Sequence, residues 1–298
     1  MTTIKRTKAS LKAAYATPEQ NTTQTSGFTN NYYPFWNMKA GEKAIIRFLP
    51  DKNEDNPRGF LVEKVFHNLE INGQRRSIPC LSMYGEDCPI CKISQAYYKV
   101  KDDINGKKYY KNRQNIAQIL VVEDPLPADE SSGEKHTGKL RYVTLSYQIY
   151  NIIKEALSSD EIDNWPDDYE NGYDFIIKKT EQGGYASYAV GTKFANKPRA
   201  LTETELSVVY ESLIDLSTLL PKNLGEEKVQ AMLDAEMNGN EYHDENKFVP
   251  STPTPVKSKV TPTVAANDEE EDEDEEVNPD VQEMLEKIRN RRADKAKG

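Results

Sequence analysis

Every cysteine in this chain joins one histidine in a single set, His67, Cys80, Cys88 and Cys91, spaced H-x12-C-x7-C-x2-C. The segment Asp87-Cys88-Pro89-Ile90-Cys91 puts two thiolates on one tight turn, as zinc sites do. Two further soft ligands lie upstream, within loop-closing reach. Three thiolates and one imidazole complete a tetrahedral zinc shell and leave no position for water. That is the ligand set of a single structural Zn2+, not a catalytic one. A chain that closes about an ion in this way must form a loop-rich subdomain there, spanning about residues 62–95.

Other readings of the four residues are weaker. A disulfide would strand one cysteine of three, and residues 1–14 are basic without the apolar stretch of a secretion signal. A redox C-x-x-C would leave His67 and Cys80 as coincidences. A zinc deaminase carries H-x-E followed by P-C-x-x-C. Here Asn68 and Leu69 follow His67, Asp87 replaces the proline, and Cys80 takes the place a reactive water would need.

The formal net charge of −10 argues against a nucleic-acid binder until it is resolved along the sequence. The first 123 residues carry a net +7, residues 124–249 carry −12, and residues 268–298 carry −7. A basic face at one end and a partner-facing or self-masking acid at the other are implied. No run of 18 apolar residues is present, so no membrane-spanning helix is expected.

Composition divides the chain. Residues 1–31 are a basic arm and a polar tether, and residues 32–247 form the core. Residues 248–298 begin as a Pro/Thr linker and become nine successive acids, Asp268 to Glu276. After the acids, Val281, Met284, Leu285 and Ile288 share one face if the segment is helical, with Pro279 suited to its first turn.

Within the core, strand signals outnumber helix signals. Segments 44–49, 59–66, 116–122, 140–147, 173–178 and 185–190 are short and rich in β-branched and aromatic residues. Asn72-Gly73, Asn105-Gly106 and Gly183-Gly184 supply turn chemistry. Thr202 and Glu205 form a capping box for a helix expected to run to Leu220, and a second helix is expected over 147–157. The fold class is mainly β (α+β). Five or six antiparallel strands with helical additions around a zinc loop suit a small OB-type barrel, or alternatively a sandwich.

Seventeen tyrosines stand against eight phenylalanines, and many flank lysine or arginine. A groove holding single-stranded nucleic acid needs cations for phosphates and flat faces for unstacked bases. Arg47, Lys111, Arg113 and Arg141 are the candidate phosphate contacts. Tyr84, Tyr97, Tyr98, Tyr109, Tyr110, Tyr142, Tyr185 and Tyr188 are the candidate stacking residues. The bland alternative is that tyrosines populate strands, where they pack well.

These features together resemble the single-stranded DNA-binding proteins of T-even-like bacteriophages, over nearly the whole length. The resemblance rests on the arm Lys5-Arg6-Thr7-Lys8-Ala9-Ser10, Ala44-Ile-Ile-Arg-Phe-Leu-Pro50 and the His67/Cys80/Cys88/Cys91 set. It extends to Ile119-Leu-Val-Val-Glu-Asp-Pro125, Gly184-Tyr185-x-x-Tyr188 and the acidic tail. It implies an OB-fold core with a zinc subdomain, single-stranded DNA held in a cleft between them, and self-association along DNA through an arm carrying Lys5, Arg6 and Lys8. It also implies recruitment by the tail of replication and recombination proteins such as a polymerase, a primase-helicase or helicase loader, and a recombination mediator. The setting it implies is the cytoplasm of an infected bacterium, in replication, recombination and repair. Thr7 splits the family's run of basic residues, and the tail continues beyond its acids. With no nucleotide-binding loop and no nucleophile–base arrangement, the expected protein is not an enzyme. The alternatives are a zinc-dependent nucleic-acid-modifying enzyme and an RNA-binding zinc protein.

Overall fold

The computed structural model describes residues 31–128, 133–159, 162–239 and 242. The basic arm with Lys5, Arg6 and Lys8, and the acidic tail, lie outside the described residues. The chain divides into two compact units, residues 1–65 with 112–222 and residues 66–111 with 223–298.

The first unit is an antiparallel sheet. Its strands are β1 (Lys43–Phe48), the start of β2 (Leu61–Ile71), β4 (Asn112–Glu123), β5 (Leu140–Leu145), β6 (Asp174–Lys178) and β9 (Lys193–Phe194). The order is β2-β4-β1-β6-β9, with β5 paired to β4. Among the described residues these pairings run as a branched path rather than a closed ring. Thr180–Gln182 (β7) and Tyr185–Ser187 (β8) make a separate two-stranded hairpin. Its turn is Gly183-Gly184, with φ of 61° and 81°. Positive φ at both central residues is the conformation that favours glycine.

Alternation places Ala44, Ile46 and Phe48 of β1 in the core with Ile119, Val121, Phe175 and Ile177. Helix α3 (Tyr147–Ser158) covers this core with Ile149, Ile153 and Leu157, and Ser146 caps it by accepting the Ile149 N–H. Helix α4 (Glu203–Ser212) starts at the expected capping box but stops at Ser212, not at Leu220. The cause is Gln118, buried on β4, whose amide donates to the Ile214 carbonyl and accepts from the Ile214 N–H. With both backbone groups taken, Ile214 cannot continue a helix. Leu216 follows in a short 3-10 turn and its N–H donates to Asp51.

The second unit holds the end of β2 paired with β3 (Gln74–Pro79). Asn72-Gly73 joins them at φ of 54° and 71°. Three helices complete the unit, α1 (Pro89–Lys99), α2 (Asp103–Tyr109) and α5 (Glu226–Asn238). Ile90, Ile93, Ala96 and Tyr97 of α1 are buried, as are Val229, Met232 and Leu233 of α5. None of these three helices is anticipated from the sequence. Asn105-Gly106, expected as a turn, lies inside α2, whose N-terminus Asp102 caps through the Asn105 N–H. The glycine serves packing instead, since a Cβ there would lie 2.8 Å from the Tyr98 ring. Asn72 uses its side-chain amide to clasp the backbone of Tyr242, donating to its carbonyl and accepting from its N–H at 2.9 and 3.0 Å.

Candidate metal centre and nucleic-acid interface

Each ligand of the cluster is set by a different piece of local structure. His67 sits on β2 opposite Ile78. Cys80 follows Pro79, where β3 ends and the 3-10 turn Leu81–Tyr84 begins. Cys88 is the N-cap of α1 and Pro89 occupies its first turn, which places Cys91 on that turn too. A helix N-terminus favours thiolate through its unpaired N–H groups.

The ligand atoms of His67, Cys80, Cys88 and Cys91 all lie within 4.8 Å of one another. Cys80 and Cys91 sulfurs are 3.5 Å apart, and His67 Nε2 is 3.5 Å from both Cys88 and Cys91. A zinc tetrahedron with bonds of about 2.0–2.3 Å has edges of about 3.3–3.8 Å, so the four donors fit one ion. Polar neighbours complete the fit. His67 Nδ1 lies 2.8 Å from the Tyr109 carbonyl. That nitrogen therefore donates, and Nε2 is left to bind a metal. Ser82 Oγ stands 3.0 Å from Cys80 Sγ.

Burial favours a neutral His67 ring, but hydrogen bonds and charge from Cys80 and Cys88 outweigh it and raise its pKa to about 9. Hydrogen bonds from Cys80 and Cys91 pull Cys88 far down. Contacts with Cys80 and Cys88 push Cys91 far up.

Beside this cluster a cavity of about 360 Å³ has Lys92, Tyr98, Tyr110 and Lys111 in its lining together with the acids Glu86 and Asp87, and Asp87 pairs with Lys92 at 3.0 Å. Three candidates, Tyr98, Tyr110 and Lys111, therefore share one wall. The two rings meet edge to face at 6.2 Å, and Tyr98 is seated against Gly106. Tyr97 and Tyr109 are placed otherwise. They are buried and stacked on each other, 5.7 Å apart and 6° from parallel. Their faces are used inside the second unit, so these two members of the candidate pool pack on each other. Tyr84 is partly exposed on the 3-10 turn after Cys80.

The first unit sorts its candidates as sharply. Tyr185 is 70% exposed at the β7–β8 hairpin, whereas Tyr188 is 6% exposed and packs edge-on against Phe35. Burial raises the Tyr188 pKa to about 12. Tyr188 is thus a core residue, and the Gly-Tyr-x-x-Tyr spacing presents one ring to solvent, not two. Tyr142 is partly exposed and meets Tyr32 edge-on. Arg141 Nε donates to His136 Nδ1 at 3.3 Å. Arg113 is paired with Glu63 at 2.9 Å.

Arg47 is the clearest correction. It is fully buried, and its guanidinium donates to Asp174 Oδ1 and to the carbonyls of Asp168 and Arg199 at 3.2, 3.0 and 2.7 Å. Burial lowers its pKa, opposed by the Asp174 charge. No face remains for a phosphate. Arg199, which carries no signal of its own in the sequence, closes the network by bonding Asp174 and gripping Glu205 with two nitrogens.

One histidine and three cysteines that could hold one metal ion, in a mainly antiparallel protein with several helices, define the class. The family model of gp32-like DNA-binding proteins matches residues 40–239. The chain belongs to this family, which is one of DNA-binding proteins rather than enzymes. No curated protein matches the chain. Among the described residues, no helix is long and apolar enough to cross a membrane.

Proposed function

We propose that the protein binds single-stranded DNA largely without sequence preference and protects it during replication, recombination and repair. The observation that carries this reading is the cavity beside the metal cluster, where Tyr98, Tyr110 and Lys111 combine flat faces with a cation. Such a mixture holds unstacked bases and phosphates without reading base edges. Tyr185, exposed on its hairpin, adds a second face. One zinc ion held by His67, Cys80, Cys88 and Cys91 is structural in this reading and fixes the cavity wall that Cys91 lines.

The test is a titration of the intact protein with poly(dT), duplex DNA and poly(U), followed by intrinsic fluorescence. Tight binding should be confined to the single strands, saturate at a fixed number of nucleotides, and weaken with salt. Binding to duplex equal to poly(dT) would overturn the proposal. In the same assay Tyr185→Ala is expected to weaken binding by about 1–3 kcal/mol, the usual worth of one stacked base. Tyr188→Ala should instead lower the melting temperature. Equal effects of the two on affinity, with no change in melting, would return Tyr188 to the DNA surface.

Self-association along DNA is assigned to the arm, with Lys5, Arg6 and Lys8 meeting acid on a neighbouring copy. Deleting residues 1–14 should weaken binding to long strands much more than to an oligonucleotide that holds one protein. Equal losses on both would make the arm an ordinary phosphate contact. Recruitment of other replication proteins is assigned to the acidic tail.

A further inference from the structure

The last turn of α5 runs against the rule for helix ends. Its carbonyls carry the negative end of the helix dipole, and a basic side chain ordinarily answers them. Here the turn holds no basic residue and carries Glu236 instead. The Glu236 side chain is only 3% exposed. Lys108 Nζ reaches its Oε1 at 2.7 Å, while Oε2, also buried, meets no hydrogen-bond donor among the described residues. A buried carboxylate oxygen without a donor costs free energy and calls for an explanation.

Glu236 lines a cavity of about 270 Å³ together with Glu70, Asn72, Gly73, Lys108 and Gly239. All of these belong to the second unit. Glu70, exposed near the end of β2, forms no ion pair among the described residues. The clasp of Asn72 on Tyr242 ties the chain leaving α5 to the same hairpin, so the walls are held together. No residue of this lining is shared with the cavity beside the metal cluster.

We infer that this second cavity binds an alkyl diammonium cation, a small polyamine, with one ammonium on Glu236 Oε2 and the other on Glu70. Two carboxylates stand against one lysine in the lining, and the helix end adds to the negative side. A bare divalent metal needs six or more oxygens at about 2.0–2.6 Å, which two carboxylates on separate elements do not supply. The cavity has the volume of several waters, at about 30 Å³ each, and so has room for a short alkyl chain. An ammonium carries three donors that turn to whichever oxygens lie near. Water could meet Oε2, but it would leave the helix end without a counter-charge.

Amide NMR of the full chain, titrated with putrescine at constant ionic strength, tests this. The Gly73 and Gly239 amides should shift saturably. Glu236→Gln should weaken binding about tenfold or more, the usual worth of a hydrogen bond to a charged group. Lys108→Met removes the competing ammonium and should tighten binding. Glu70→Gln alters an exposed side chain, so it carries the test if Glu236→Gln loosens the unit, and it should weaken binding about threefold. Glycine amides that do not move leave the cavity to water and overturn the proposal. An equal response to n-butylamine makes the site a seat for a single ammonium, such as a lysine side chain, and also overturns it. So do equal affinities in all three variants and the wild type, which make the response a general screening of an acidic chain. The readout needs no DNA, so its outcome is independent of the DNA-binding reading.

Discussion

Cys88→Ser is expected to release about one zinc per chain and to loosen the whole second unit while leaving the first folded. Structural zinc contributes on the order of 10–16 kcal/mol of binding free energy, as large as the whole stability of an ordinary domain. The second unit sets against that loss its buried apolar side chains, among them Ile90, Ile93, Val229 and Leu233. Its ligands come from a strand, a strand end and the first turn of α1, so without an ion these three elements lose their common anchor. Limited proteolysis should therefore cut at Lys92, Lys99 and Lys101, and protection of α5 should fall with them, although it lies more than a hundred residues from the cluster in sequence. Helix α4, in the first unit, should keep its protection. A chelator should reproduce the variant. Metal-free protein with unchanged resistance at these lysines would show that the cluster holds no structural ion.

Arg47→Met is expected to cost about 3–5 kcal/mol, the usual result of removing one partner from a buried ion pair. The carbonyls of Asp168 and Arg199 each lose a donor inside the protein, and the Asp174 carboxylate keeps only Arg199. Gly172 shows how tightly the site is drawn, since a Cβ there would lie 2.9 Å from the guanidinium and would collide with the Asp168 carbonyl. For a unit of this size the loss corresponds to a fall in melting temperature of roughly 10 °C. Lys111→Met, on the cavity wall, should do the opposite, leaving melting unchanged and reducing affinity for oligo(dT). An Arg47→Met protein that melts normally and binds DNA weakly would place the guanidinium on phosphate after all.

The His67/Cys80/Cys88/Cys91 cluster is legible in the sequence because soft donors are scarce and their spacing is itself the signal. Most strands are legible through β-branched residues in alternation. What escapes depends on partners distant in sequence. Arg47 reads as a surface cation until Asp174, 127 positions away, is found opposite it on β6. Leu213 to Leu220 continue a helical period, and it is Gln118, Lys52 and Asp51, all distant in sequence, that take their backbone groups and stop them. Tyr188 differs from Tyr185 in what covers it, and periodicity carries no trace of Phe35. Helix α1 does leave a local signal, a proline after Cys88 and buried residues at 90, 93 and 97. The knuckle and the neighbouring tyrosines mask it, because each has a stronger meaning of its own. Gly106 is subtler, because Asn-Gly means a turn in most contexts and here the glycine makes room for a ring.

The bond from His67 to the Tyr109 carbonyl has a bearing on how the chain folds. Ile45 of β1 must find Glu123 of β4 across an intervening stretch that holds residues 66–111. Loop closure of that length is entropically slow. A metal-organised insertion whose two ends are already clasped at His67 and Tyr109 removes its own length from the search and roughly halves the effective loop. Each halving is worth about 0.6 kcal/mol, close to a threefold gain in closure rate. An ion held by the far end of β2 and by the insertion beyond it would thus set the pace at which the first unit's strands assemble, making zinc supply a kinetic control on newly made protein.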